Sequence, residues 1–333
     1  MIDEQFIGKI NGLRLELDLK KGALETDIKS LKKAARQTIG PELEKRVASI
    51  VDTGLIELEQ DFKIYWKKSP IAKLSAGLDY LNPNFSLIID DMIESGPKQK
   101  LNDYISKWIK IKIKEVLKSL IDLKNLKENK PSIKALAYQL YESNGVLKRN
   151  QVSEYLKNIN QKERKILRDH GVKFGRYHIF LYQLIKPEAV SLRTLLWKNY
   201  YQKSLNLKPP TFGLNFLDKH NIKDQKFMLL CGFEKFDAFY VRIDILERLF
   251  MLIIKSNPKE KSEIKMIPEM LNLLGCSKDN FKILLQKMNY KIYHKLEDVF
   301  FKYSRSKKYK KVPVKKISKE NPCKILKSRI IRE

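Results

Sequence analysis

The sequence predicts a mainly α protein with small β elements: a helical bundle, then a smaller α+β domain, then a basic disordered tail. Three observations carry that expectation. From Lys98 to Lys124, Leu101, Ile105, Trp108, Ile113, Val116, Leu120 and Leu123 fall mainly on one helical face, with lysines at the other positions. Two more helical segments follow and end at Gly145 and Gly171, residues that close helices readily. From Lys302 to Arg332 basic residues dominate, and little apolar material is left to build a core.

Taken in order, residues 1–54 form a helical lead-in. Apolar positions recur at helical spacing between Ile28 and Val51, with a turn expected at Gly40-Pro41 before Glu42 opens a new helix. Residues 55–97 form a small β or irregular insert, because Phe62, Ile64 and Trp66 alternate with charged residues and Gly77 and Pro83 break the segment into short strands. Residues 98–207 make the helical bundle. Its second helix starts at Ser132 and carries Leu136, Leu140 and Tyr141, and its third runs from Gln151 to His170. Between Gly171 and Pro187, GVKFGRYHIFLYQLIKP reads as a turn or short strand before apolar residues resume. Pro187 then opens a helix with Glu188 in its first turn and Leu192, Leu195 and Leu196 facing inward.

Lys208-Pro209-Pro210 marks a domain boundary, and residues 208–301 form the smaller α+β domain. Phe239 to Ile243 alternates as a strand does, and Asp244 can cap a helix that runs to Ile254. Ile267–Gly275 and Ser277–Met288 are two short helices around a Gly275-Cys276 turn, which is helix-turn-helix-like spacing. Two readings stand for this pair: a winged-helix-type nucleic-acid module, and an ordinary αα-hairpin, which is commoner. Residues 302–333 are the basic tail, whose lysines can track phosphates and whose Tyr303 and Tyr309 can stack on bases.

Charge narrows the choice of partner. Among 333 residues, 67 Lys and Arg face 39 Asp and Glu, a formal net charge of +28 that favours a polyanion, with nucleic acid first. No membrane partner is expected. The longest apolar run, Leu249 to Ile254, is far short of the roughly 20 residues that span a bilayer. Cys231, Cys276 and Cys323 are widely separated with no CxxC pair, which fits a reducing cytoplasm and neither a disulfide framework nor a four-ligand zinc site.

Catalytic chemistry has little to rest on. No G-x-x-x-x-G-K-[ST] stretch is present; Gly8-Lys9 is followed by Ile10, which has no hydroxyl for magnesium. Asp-Glu-x-His and Asp-Glu-x-Asp boxes are missing too, so independent NTP hydrolysis is not expected and no cofactor is assigned. Asp90, Asp91 and Glu94 bring carboxylates together, but a solvated acidic turn accounts for them better than a metal-dependent nuclease. His170, His178, His220 and His294 are scattered and read as helix-end, packing or surface residues.

A resemblance adds to this. Trp66-Lys67-Lys68-Ser69-Pro70-Ile71-Ala72-Lys73-Leu74, Ala135-Leu136-Ala137-Tyr138-Gln139-Leu140 with Gly145-Val146-Leu147, and Leu167-Arg168 through Gly171-Val172-Lys173-Phe174-Gly175 occur in order. Leu184-Ile185-Lys186-Pro187-Glu188-Ala189, Leu192-Arg193, Leu195-Leu196-Trp197, Val241 through Leu249, Pro268-Glu269-Met270-Leu271 and Asn321 through Leu326 continue the series. In this order the chain resembles the C-terminal accessory region of a superfamily-2 DExH-type ATP-dependent RNA helicase, of the mitochondrial-degradosome type and its bacterial relatives. The RecA-like ATPase core is lacking. The resemblance implies a nucleic-acid-binding module, RNA favoured over DNA, that works with a helicase core supplied by another chain. Lys173 and Arg176 beside the glycines, with Lys307, Lys308, Lys310 and Lys311 in the tail, are the expected contacts, and at Lys173 and Arg176 a basic turn that holds local structure stands as an equal reading. Arg193, Arg242 and Arg248 are expected in structural ion pairs.

Overall fold

The structure, a computed structural model, describes residues 8–17, 25–127, 130–203, 206–218, 224–256, 263–295 and 298–304. The chain divides into two compact units, the first comprising Met1–Ser256 and Pro268–Cys276, the second Asn257–Ile267 and Ser277–Glu333.

The first unit begins with a hairpin, β1 (Gly8–Asn11) and β2 (Arg14–Leu17), followed by the long helix α1 (Glu25–Thr53). The turn expected at Gly40-Pro41 is absent. Leu43, Val47 and Ile50 keep one buried stripe beyond Pro41, whose ring lies on the exposed side, so the helix continues through the proline. An antiparallel meander of β3 (Ile56–Leu58), β4 (Lys63–Trp66), β5 (Ser69–Ser75) and β6 (Asn84–Leu87) comes next. Its Ile64, Trp66, Ile71 and Leu74 enter the same core as Leu101, Ile105, Ile109 and Ile113 of α2 (Ser95–Val116). Leu117 breaks that helix from α3 (Lys118–Lys124).

Beyond α3 the predicted helical bundle gives way to mixed structure. α4 (Pro131–Glu142) leads to β7 (Val146–Lys148), then α5 (Ser153–Lys157), α6 (Gln161–Asp169), β8 (Val172–Phe174) and β9 (His178–Leu181). The three strands pair in the order β7-β9-β8. After a short 3-10 turn, α7 (Pro187–Tyr200) leads to β10 (Phe216–Leu217), α8 (Gln225–Leu230), β11 (Phe233–Phe236) and β12 (Phe239–Arg242), ordered β10-β12-β11. The chain order recurs once more in α9 (Ile243–Ser256), β13 (Ile264–Lys265), α10 (Pro268–Leu274), α11 (Lys278–Lys287), β14 (Tyr290–Lys295) and β15 (Asp298–Tyr303), ordered β13-β15-β14. Of this third series, α9 and α10 belong to the first unit and the remainder to the second.

A helix, a strand, further helix and a closing hairpin whose last strand lies in the middle is the connectivity of a winged helix, here three times in succession. The local sequence repeats with it. Each hairpin follows a helix through one left-handed residue: Gly171 (φ +86°), Gly232 (φ +84°) and Asn289 (φ +67°). A buried apolar residue follows each time, Val172, Phe233 and Tyr290. The next positions are Lys173, Glu234 and Lys291.

The mainly helical expectation is therefore corrected. Helix accounts for about 49% and strand for about 23%, with five small antiparallel sheets among the described residues. Strands β7 and β8, three residues each, are too short to show alternation, and β9 buries all four of its residues, so its apolar run is equally compatible with a helix.

Candidate nucleic-acid interface

The hairpin β8–β9 sits where α6 ends. α6 is fixed at its start by a capping box, in which Asn160 accepts from the Glu163 amide at 3.0 Å and the Glu163 carboxylate accepts from the Asn160 amide at 3.0 Å. His170 caps its end and Gly171 turns the chain into β8. In β8, Val172 enters the core while Lys173, on the opposite face, is exposed.

The turn from β8 to β9 is held by one carboxylate from α9. Glu247 accepts hydrogen bonds from the backbone amides of Arg176 (2.5 Å), Tyr177 (2.8 Å) and His178 (2.9 Å). A Cβ on Gly175 would lie 2.2 Å from the carboxyl carbon of Glu247, so the glycine is what lets the carboxylate approach. Arg149 adds a bond from Nη1 to the Gly175 carbonyl.

Beneath this turn His178 is almost fully buried between two acids. Its Nε2 lies 3.3 Å from Glu234 Oε2 and its Nδ1 3.8 Å from Glu247 Oε1. Burial opposes the charged imidazole, but both carboxylates outweigh it and the pKa of His178 is raised. Burial likewise pushes Glu234 and Glu247 upward, and their partners reverse this: hydrogen bonds from His178 and Lys148 lower Glu234, while the nearby His178 ring and hydrogen bonds from the three amides lower Glu247. Lys148 Nζ reaches Glu234 at 2.5 Å. The result is a chain of alternating charge, Lys148, Glu234, His178, Glu247, ending on the amides of the turn.

The clamp fixes one wall of an open groove of about 590 Å³ on the outer face of α9. Lys173, Arg248 and Lys255 stand around it, with Met251, Leu252 and Leu273 as its apolar floor and Glu269 at its side. Glu247 also lines it, but its oxygens are engaged by the turn amides, so its charge is largely spent internally. Lys162, Lys165 and Arg168 add an exposed basic face on α6, with Arg168 centred 6.0 Å from the Phe174 ring.

The structure thus gathers Lys173 with Arg248 and Lys255 and sets Arg176 elsewhere, its guanidinium 5.5 Å from the Phe250 ring. Lys307, Lys308, Lys310 and Lys311 lie outside the described residues, as does His220. Two expectations about arginines need correction. Arg248 lines the groove, because the Asp244 carboxylate one turn earlier is taken by Arg242 at 2.7 and 3.1 Å. Arg193 makes no ion pair among the described residues; fully buried, it donates to the carbonyls of Asn144 (2.6 Å), Leu184 (3.0 Å) and Leu230. Lys255 had a signal in the sequence, seven residues beyond Arg248 and hence on the same helical face.

No family model, curated protein or solved structure matches the chain. The site is therefore read from its own chemistry. Asp90 is buried and accepts from the amides of Leu15 and Met92, each at 3.2 Å, which makes it a structural tie. Among the described residues no group of three or more His, Cys, Asp or Glu is placed to hold a metal ion. Burial pushes the Cys231 thiol up to about 12, so it stays protonated near neutral pH and is a poor nucleophile. No helix among the described residues is long and apolar enough to cross a membrane. What the groove offers is cationic side chains over an apolar floor, which suits phosphates and bases.

Proposed function

We propose that this chain binds single-stranded nucleic acid and acts in the cytoplasm as the accessory region of an ATP-dependent helicase whose ATPase core is supplied by another chain. The observation that carries the reading is the clamp: Glu247 fixes the β8–β9 turn through three amides, and Lys173 thereby stands at a fixed place beside Arg248 and Lys255. A rigid cationic site loses little conformational freedom on meeting a phosphate backbone. The net charge of +28 draws such a strand in over a longer range. The preference for RNA, and the helicase partner, rest on the resemblance described above.

The test is fluorescence anisotropy of the full chain with single-stranded RNA, and with DNA of the same sequence, across a salt series. The variant K173Q/R248Q/K255Q is expected to bind more weakly at low salt. It should also flatten the plot of log affinity against log salt by about 2, at roughly 0.7 for each phosphate that is no longer neutralised. A variant that matches the parent chain at every salt concentration overturns the reading. No binding by the parent chain leaves a protein-interaction module or a degenerate helicase remnant.

A further inference from the structure

The three hairpins occupy the same place in their series, and the face that carries Lys173 in the first is treated differently in the third. In β8–β9, Lys173 stands opposite Phe180, which is buried with Val146 and Ile243. In β11–β12, Glu234 stands opposite Val241, also fully buried. In β14–β15 the equivalent pair is Lys291 opposite Lys302, and both are exposed.

Two lysines directly across a pair of strands repel each other and cost stability. Carboxylates do stand on the same face, but they are engaged elsewhere: Asp298 meets Lys265 at 2.5 Å and Glu263 meets Lys295 at 2.5 Å. Lysine on an edge strand can guard it against pairing with another chain, and β14 is such an edge. That accounts for Lys291 and leaves Lys302 unexplained, since β15 is the central strand of its sheet. Between the lysines and the ion pairs, Tyr293 stands opposite Phe300, with Tyr293 37% exposed. The opposite face turns inward, where Phe301 meets Phe281 and Tyr290 edge-on and is fully buried.

We infer that the outer face of β14–β15 is a second nucleic-acid contact, in which Lys291 and Lys302 together take a backbone phosphate and Tyr293 with Phe300 takes an unstacked base. The ligand is a single strand, because Tyr293 and Phe300 stand side by side on the outer face of the sheet, with Lys295 5.6 Å from the Phe300 ring as a further cation, and a duplex keeps its base faces covered. The inference rests on the nucleic-acid reading above and adds a surface in the other compact unit.

The test uses the full chain and an unstructured single-stranded oligonucleotide, with a duplex of the same length alongside. K291Q/K302Q is expected to flatten the salt dependence of single-strand binding by about 0.7, the share of one phosphate. Its thermal midpoint should stay the same or rise, since the repulsion is gone. Y293A is expected to weaken single-strand binding by about tenfold, in the range that stacking on one aromatic supplies. If both variants bind as the parent does, the inference fails, and the groove reading survives provided K173Q/R248Q/K255Q still loses affinity. If the hairpin variants lose affinity and the groove variant does not, the groove reading fails and this one stands. Duplex bound more tightly than single strand, with the same sensitivity to these substitutions, overturns the choice of ligand. A fall in the thermal midpoint of K291Q/K302Q overturns the phosphate role of the lysine pair in favour of a structural one.

Discussion

The hairpins β8–β9 and β11–β12 share a backbone plan and differ in what one position does with its charge. Both follow a left-handed glycine, Gly171 and Gly232, and both bury the next residue. The position after that is Lys173 in one and Glu234 in the other. Lys173 stands at the open groove, whereas Glu234 is spent on Lys148 and His178. The same fold position thus faces an open groove in one copy and serves cohesion in the next. Side-chain chemistry sets the role, because the register of the two hairpins is alike.

The comparison is broken most severely at the clamp. Glu247→Ala leaves three amides and a buried histidine without their carboxylate, and is expected to cost about 3–5 kcal/mol, at 1.5–3 kcal/mol for each hydrogen bond to a charged group less what water recovers. Urea denaturation checks this, and a midpoint close to that of the parent chain would show that the turn is held by other means. Gly175→Ala pushes a methyl group into the same carboxylate and should cost about 1–3 kcal/mol by overpacking. Combined with Glu247→Ala it should cost less than the sum, since the clash then has no second party.

A smaller effect separates the two hairpins by pH. His178 has a raised pKa, so its contribution to stability is complete below its unfolded value of about 6.5 and is lost as pH rises through the folded value. Glu234 and Glu247 are lowered, and their contributions are present above about 4.3 and lost as pH falls through their folded values. Stability from this cluster should therefore peak between roughly pH 5 and 6.5. His178→Gln is expected to remove the decline on the alkaline side, measured by chemical denaturation at a series of pH values. The smallest effect sharpens the contrast: Lys173→Gln should weaken strand binding a few-fold, with a salt slope lower by about 0.7 and stability unchanged. Glu234→Gln should do the reverse, destabilising the chain while affinity holds. If both substitutions act on the same property, the division of roles is wrong.

Much of the fold is legible where a pattern runs long enough to repeat. The stripe from Leu101 to Leu123 and the start at Pro187 appear as helices α2, α3 and α7. Short strands are not legible in the same way. Val146–Lys148 has only three residues, and His178–Leu181 is buried throughout, so neither displays the alternation that marks a half-exposed strand. The triple repeat escapes composition too, since what recurs is one left-handed residue, one buried apolar residue and one charged residue on the other face, with Asn289 standing where the others have glycine. Lys173 is visible through its glycine neighbours. The clamp is not, because Gly175 marks a close approach without showing that the carboxylate of Glu247, on a distant helix, makes it.

Arg193 carries a last consequence. Its guanidinium joins the turn after α4, the segment before α7 and the end of α8, and no acid among the described residues pairs with it; three carbonyl oxygens solvate it instead. Gly145 beside it, at φ +84°, leaves room for Leu184, whose methyl group a Cβ there would meet at 2.4 Å. Any swivel between the first and second repeats would strip a buried cation of several oxygens at once. Mechanically the two repeats are coupled through this one side chain, so that a rotation of one must carry the other with it.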